Sequence, residues 1–211
     1  MKNLIIRKEE KSEHFEVENL IRESFWNVYC PGCSEHFLLH KLRDYSRFVD
    51  ELDFVMEMNG KLIGQVCFTK IDLKRNDGKA IEVLTFGPIS ILREFQRKGF
   101  GKILLDFALE KAEKLGFGAV FIEGNYEFYK NCGFSFASEF NVHYNDIPRE
   151  EKVEFFLCKE LQNGFLKNSL ENFEVTYFTP EIYRLNDDEV DLYDKKFPPK
   201  EKQKLPGQLF E

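Results

Sequence analysis

The spacing of hydrophobic positions changes period several times along this chain, and each change marks an element. Leu4–Arg7 predicts a short first strand, and the charged stretch 8–13 a loop. Phe15, Val17, Leu20, Ile21, Phe25 and Val28 recur at helical spacing and predict a helix of about three turns, closed by Pro31-Gly32. Ser34 stands where an N-cap would start a second helix through Phe37, Leu38, Leu42 and Tyr45. Phe54–Met58 and Lys61–Phe68 flank Asn59-Gly60, the strongest short turn signal in the sequence, and predict a hairpin. A second turn, Lys74–Lys79, contains Asn76-Asp77-Gly78 and leads into the next strand at Ile81.

From Glu82 to Leu92 the chain is nearly all apolar or small, which predicts a strand buried on both faces. Pro88 cannot donate to a ladder, so pairing on one side is expected to fail there, as at an edge or a bulge. Ile103, Leu104, Phe107, Ala108, Ala112 and Leu115 return to helical spacing, and Gly116 stops the helix. Between strand and helix lies Gln96-Arg97-Lys98-Gly99-Phe100-Gly101-Lys102. Glycines let backbone N–H groups approach a ligand, and the first-turn N–H groups sit at the positive end of the helix dipole. With Arg97, Lys98 and Lys102 added, the turn is an anion site suited to a phosphate or pyrophosphate. It is neither a P-loop nor a dinucleotide fingerprint, since it matches neither glycine spacing.

Further along, Gly118–Ile122 predicts a strand and Gly124–Asn131 a short helix; Phe134–Phe136 begins another strand, and Val153–Cys158 is the last clear one. Residues 161–211 have low apolar periodicity. They contain Phe165, Phe173, Tyr177, Tyr183, Tyr193 and Phe197, too many apolar side chains for a free tail. They are expected to form an arm, helical around Asp188–Lys195, packed on a core domain of residues 1–160 or on a second subunit.

Composition narrows the partners. The chain has 211 residues, is 43% hydrophobic and carries 23 phenylalanines, so its core and cleft should be aromatic. Its net charge of −7 argues against nucleic acid as the main partner and confines the basic loop to a local role. No apolar run reaches the length of a membrane span, and the first residues do not read as a signal peptide. Five scattered cysteines suit a reducing cytoplasm.

Gln96-x-x-Gly99-x-Gly101, after a strand and before an amphipathic helix, resembles the coenzyme A loop of the GNAT-type N-acetyltransferases. Tyr126-Glu127-Phe128-Tyr129-Lys130-Asn131-Cys132-Gly133-Phe134 is similar to that family's downstream Y-x-x-x-G-F segment. The resemblance spans roughly residues 50–160. It implies an α/β (α+β) fold, the GNAT acyl-CoA N-acyltransferase fold, with a mixed, mostly antiparallel sheet, splayed parallel strands and flanking helices. It also implies acetyl transfer from acetyl-CoA to a primary amine by direct attack in a ternary complex, with no metal expected. Gln96, Arg97, Lys98, Gly99, Phe100, Gly101 and Lys102 would hold the coenzyme phosphates, and Ile89, Ser90 and Ile91 would run beside pantetheine through main-chain groups. Tyr129 matches the tyrosine that donates a proton to the thiolate. An asparagine usual in the family is absent upstream of it; Asn125 stands closer and is a coenzyme candidate. The base is expected at Glu82, where related enzymes often place a carboxylate, with Glu123 as an alternative.

Cys30-Pro31-Gly32-Cys33-Ser34-Glu35-His36, followed by His40, is the second cluster. The histidines follow Cys33 too closely for a usual zinc finger loop. Cys33, Glu35 and His36 either line the acceptor side of the cleft or cap and pack the helix start. A small-molecule or peptide amine would be the acceptor, and dimers are common in similar folds. Two other readings stay open: a non-catalytic acyl-CoA-binding or sensing module, and a metal-binding regulatory domain centred on Cys30–His40.

Overall fold

The computed structural model describes residues 3–170 and 173–209. The strands are β1 (Leu4–Lys8), β2 (Phe54–Met58), β3 (Lys61–Arg75), β4 (Ala80–Ile91), β5 (Ala119–Glu123), β6 (Ser135–Phe136), β7 (Val142–Tyr144), β8 (Phe156–Glu160) and β9 (Val175–Tyr177). The helices are α1 (His14–Phe25), α2 (Glu35–Leu42), α3 (Phe100–Lys114), α4 (Tyr126–Tyr129), α5 (Phe165–Leu170) and α6 (Asp187–Asp194). The chain divides into two compact units, the first made of residues 1–67, 88–104 and 181–211, the second of 68–87 and 105–180. The strands β3 and β4 and the helix α3 each contribute one part to each unit.

In the first unit the strand order is β1-β2-β3-β4. The β2–β3 hairpin closes on Asn59-Gly60, both at positive φ as a tight primed turn requires, and its register shifts between Met56 and Glu57. The apolar stripe of α1 (Val17, Leu20, Ile21) meets Leu39 and Leu42 of α2 over Val55, Leu62 and Cys67. Ser34 precedes α2, but its side chain makes no capping bond; the Glu35 carboxylate accepts the Ser34 N–H instead, at 3.0 Å. A smaller cluster joins Phe37 of α2 to Val190 and Tyr193 of α6 and to Phe197.

The second unit carries the order β3-β4-β5-β8-β6, with β9 paired to β3 and β7. Its β4–β5 ladder is parallel and short, Leu84↔Val120 and Thr85↔Phe121. Ile71, Leu73, Val83, Phe121 and Phe156 form one face, covered by Leu166 and Leu170 of α5 and by Val175 and Tyr177 of β9.

Several boundaries differ from the sequence expectation. The β3 strand runs to Arg75 because Ile71 and Leu73 keep alternating with Lys70, Asp72 and Lys74. The last clear strand starts at Phe156 rather than Val153, since Phe156 N–H turns back to the Val153 carbonyl. The short helix is a single α turn at Tyr126–Tyr129 followed by a 3-10 turn at Lys130–Cys132.

Candidate active site

In the first unit, β4 ends at Ile91, hydrogen-bonded back to the hairpin through Leu92 N–H and the Ile63 carbonyl at 2.9 Å. The approach of these strands is close: a Cβ on Gly64 would stand 2.5 Å from Ile91 Cδ1 and 2.9 Å from the Ser90 carbonyl oxygen. Ser90 is buried, and its hydroxyl has no hydrogen-bond partner. After a 3-10 turn at Arg93–Phe95 the chain enters the basic loop. Gln96 Nε2 donates to the Ile91 carbonyl at 2.8 Å, which ties the loop to the end of β4. Lys98 Nζ donates to the Glu94 carbonyl at 2.6 Å.

Arg97 and Gly99 both have positive φ, +57° and +85°. For Gly99 this conformation explains the glycine, because a Cβ there would meet nothing within 4 Å and only the backbone excludes a side chain. For Arg97 it is a strained conformation of the kind that persists at ligand-binding turns. Phe100 opens α3 directly after Gly99, and Ile103 N–H makes the first helical bond to the Gly99 carbonyl at 3.1 Å. The N–H groups of the first turn therefore face the exposed loop.

The Cys33–His36 cluster also belongs to the first unit, and it is closed over. His36 is fully buried, its ring edge-on to Phe197 at 5.3 Å and tilted against Tyr193 at 5.9 Å. Its Nε2 lies 3.3 Å from Asp194 Oδ1, outside hydrogen-bonding geometry. Burial lowers its pKa to about 4, so the ring is neutral. Cys33 Sγ sits 3.5 Å from His36 Nδ1, and burial pushes the thiol well above its ordinary range. Burial likewise raises the Glu35 carboxyl. His40 pairs with Glu18 at 3.2 Å. Among the described residues, no group of three or more His, Cys, Asp or Glu side chains is placed to hold a metal ion.

The second unit holds Tyr129, Asn125, Glu82 and Glu123. Tyr129 is 7% exposed, with its ring edge-on to Phe86 at 5.7 Å and to Phe134 at 5.4 Å. It lies against Gly124, where a Cβ would come within 2.4 Å of its Cε2. Gly133 turns the chain at φ +83° so that Phe134 can pack under the tyrosine. Asn125 is the N-cap of α4, its Oδ1 accepting Glu127 N–H at 2.8 Å. Glu82 is exposed and ion-paired with Lys70 at 3.1 Å. Gly87 has φ +145°, open only to glycine, two residues after Thr85, the last residue that β4 pairs with β5. The hydrogen bonds from Tyr177 and Thr179 to Glu123 could not be read in the sequence, because the donors lie 54 and 56 residues further along the chain.

The profile of the acetyltransferase (GNAT) family matches residues 18–134. A search of curated proteins finds no significant match. Among solved structures, the chain is similar to the GNAT family N-acetyltransferase YhbS of Escherichia coli in complex with CoA, at TM-score 0.70 and 20% identity over 88% of this chain and 95% of that one. It is similar to a GNAT family acetyltransferase of Brucella melitensis in complex with acetyl-CoA, at TM-score 0.63 and 19% identity over 86% and 99%. The ribosomal-protein-S18-alanine N-acetyltransferase of Escherichia coli aligns at TM-score 0.53 and 17% identity over 76% and 95%. At these identities the likeness is one of fold: a mixed sheet, mostly antiparallel with parallel β4–β5 and β7–β9 pairs, flanked by helices.

Proposed function

Because the chain belongs to the acetyltransferase (GNAT) family, we propose that it transfers the acetyl group of acetyl-CoA to a primary amine by direct attack. The observation that carries this reading is the loop from Gln96 to Lys102, an exposed turn with positive φ at Arg97 and Gly99 that opens α3. It fits the coenzyme diphosphate in geometry and charge. The first-turn N–H groups of a helix have no intrahelical partners and sit at its positive end, and Arg97, Lys98 and Lys102 supply the countercharge. The Ser90 hydroxyl, buried without a partner, is a second mark of fit, since a bound pantetheine amide can satisfy it. Ile89, Ser90 and Ile91 would meet that arm through their main-chain groups, as an added strand does.

When bound, the coenzyme supplies a thioester whose sulfur leaves as a thiolate. Tyr129 is assigned as the acid that protonates this sulfur through its phenol. Its ring is held by Phe86, Phe134 and Gly124, which orient the hydroxyl. The Asn125 Oδ1 caps α4, which favours an indirect role, as the residue that sets the helix carrying Tyr129. His36 is packed under Tyr193 of α6 and Cys33 is buried against His36 and the Arg22 carbonyl, so their assignment is to hold the start of α2 rather than to touch an acceptor. The net charge of −7 supports a cationic amine over nucleic acid as partner, and the five free cysteines support a reducing compartment.

Calorimetric titration with acetyl-CoA, followed by thiol-release assays on a panel of amines, tests this function. Binding with release for at least one amine is expected. Binding without release would favour a coenzyme-sensing module, and no binding would overturn the loop assignment.

A further inference from the structure

Two side chains pin the entry of the basic loop. Gln96 Nε2 returns to the Ile91 carbonyl at 2.8 Å, at the end of its own strand. Arg93 reaches a different element, its Nη2 donating to the carbonyl of Trp26. Trp26 is the C-cap of α1, so this carbonyl stands at the negative end of the helix dipole, where carbonyls lack intrahelical donors. A guanidinium suits that place in charge and in donor geometry.

Trp26 is held in turn from the C-terminal side. It is buried, and its Nε1 donates to the Glu201 carbonyl at 2.9 Å. Asn27, at φ +58°, donates from Nδ2 to the same carbonyl at 3.1 Å. Its Oδ1 accepts the N–H groups of Gln203 and Gly32, at 3.1 and 2.7 Å. Gln208 Nε2 donates to the Asn27 carbonyl at 3.2 Å, and Leu209 N–H to the Tyr29 carbonyl at 2.9 Å. Lys200 fastens the same segment to Glu23 of α1 at 2.8 Å. Residues 200–209 thus form a strap along the turn that follows α1, and all of these residues belong to the first unit.

Stability alone accounts for α6, which seals α1 and α2 through the Arg22–Asp194 pair and the Phe37, Val190, Tyr193 and Phe197 cluster. It accounts less well for the strap. Residues 201–207 are exposed and add little to the core. Their polar bonds converge instead on Trp26 and Asn27, beside the one carbonyl that Arg93 holds.

We propose that Arg93 is a positioning residue for the coenzyme loop, and that the C-terminal strap acts on that loop by fixing the Trp26 carbonyl on which Arg93 rests. The role depends on the coenzyme reading of Gln96–Lys102 given above. Tied to Trp26, the 3-10 turn of Arg93–Phe95 is fixed against α1, and the chain that leaves it enters the loop in one orientation. A loop ordered before the ligand arrives loses less entropy on binding.

The chain has a single tryptophan, so its emission reports Trp26 alone. Acetyl-CoA is titrated into wild type, Arg93→Met, Arg93→Lys, Arg97→Gln and Asn27→Gly, with binding followed by calorimetry and Trp26 by fluorescence. In wild type the two signals are expected to give the same Kd. Arg93→Met keeps the stem but removes the donor; it is expected to weaken binding by about tenfold and to abolish the fluorescence response. Arg93→Lys restores a charged donor and is expected to bind within about threefold of wild type with its response restored. Arg97→Gln removes a loop charge and leaves the tether, so it should weaken binding yet keep the response. Asn27→Gly allows the same left-handed backbone and releases the strap, so it should weaken binding although Asn27 lies outside the loop.

Arg93→Met with wild-type affinity and response overturns the positioning role. Asn27→Gly with wild-type affinity overturns the part given to the strap. If either variant melts too early to titrate, wild type decides: binding by calorimetry with Trp26 emission unchanged at saturation overturns the proposal alone. A wild type that binds no acetyl-CoA overturns the coenzyme reading of the loop, and this role with it.

Discussion

Asp194 accepts from Nε and Nη2 of Arg22 at 2.6 and 3.0 Å, and the guanidinium it holds is 1% exposed. The pair joins the C-terminal helix α6 to α1 within the first unit. Trp26 stacks on the same guanidinium at 4.2 Å, and Tyr193 OH donates to Glu18 at 2.5 Å beside it. Removing one partner of a buried pair costs about 3–5 kcal/mol, because the other charge is left in the interior. Asp194→Ala is therefore expected to lower the thermal midpoint by roughly 10 °C, whereas replacing both residues by Leu and Met should recover much of it. Calorimetric melting of the single and double variants checks this, and a shift below about 1 °C in the single variant would refute it.

A second consequence concerns pH. Glu9 has its pKa raised to about 9, first by burial and then by the neighbouring Asp53, against the pull of Arg43 at 2.6 Å. Its ordinary value is 4.5, so the folded protein binds a proton that the unfolded chain has released between these two pH values. Stability from this group is complete below pH 4.5 and is lost as pH rises toward about 9. Glu9→Gln, permanently neutral, should lose less stability than wild type over that window. Denaturant midpoints measured across it test the sign; parallel curves for the two proteins would show that Glu9 carries no such linkage.

Much of the first unit and the entry to its loop were legible in sequence, because the signals there are local. Asn59-Gly60 closes a hairpin by its own conformational preference, and Gly99 opens a helix whose stripe follows at once. What escaped depends on partners far along the chain. The strands β7 and β9 are three residues each and exist through pairing with one another and with β3. α5 is a six-residue helix whose Leu166 and Leu170 seal a sheet face formed more than forty residues earlier by Phe121 and Val83. The role of His36 was open for the same reason: only the fold shows that Tyr193 and Phe197 cover it.

The basic loop gives a third test. A unit charge about 4 Å from a phosphate contributes on the order of 1 kcal/mol even in water. Arg97→Glu with Lys98→Glu reverses two such charges beside the start of α3 and is expected to weaken acetyl-CoA binding by more than about tenfold. Raising salt should narrow the gap between variant and wild type, since both residues are exposed. Equal affinities by calorimetry would remove the loop from the coenzyme site.

Tyr129 and Gly124 give the last test, because they separate chemistry from positioning. Tyr129→Phe keeps the ring that packs on Phe86 and Phe134 and removes only the phenol oxygen. If that oxygen protonates the thiolate, kcat should fall by roughly 100-fold or more and its basic limb should disappear, with coenzyme affinity retained. Gly124→Ala keeps the phenol but places a Cβ 2.4 Å from Tyr129 Cε2, a contact that the ring can relieve only by moving. It should therefore also lower kcat while keeping the basic limb, since the acid is displaced rather than lost. Single-turnover thiol release against pH distinguishes the two patterns. A Tyr129→Phe variant that keeps both its rate and its basic limb would take the acid role away from this residue.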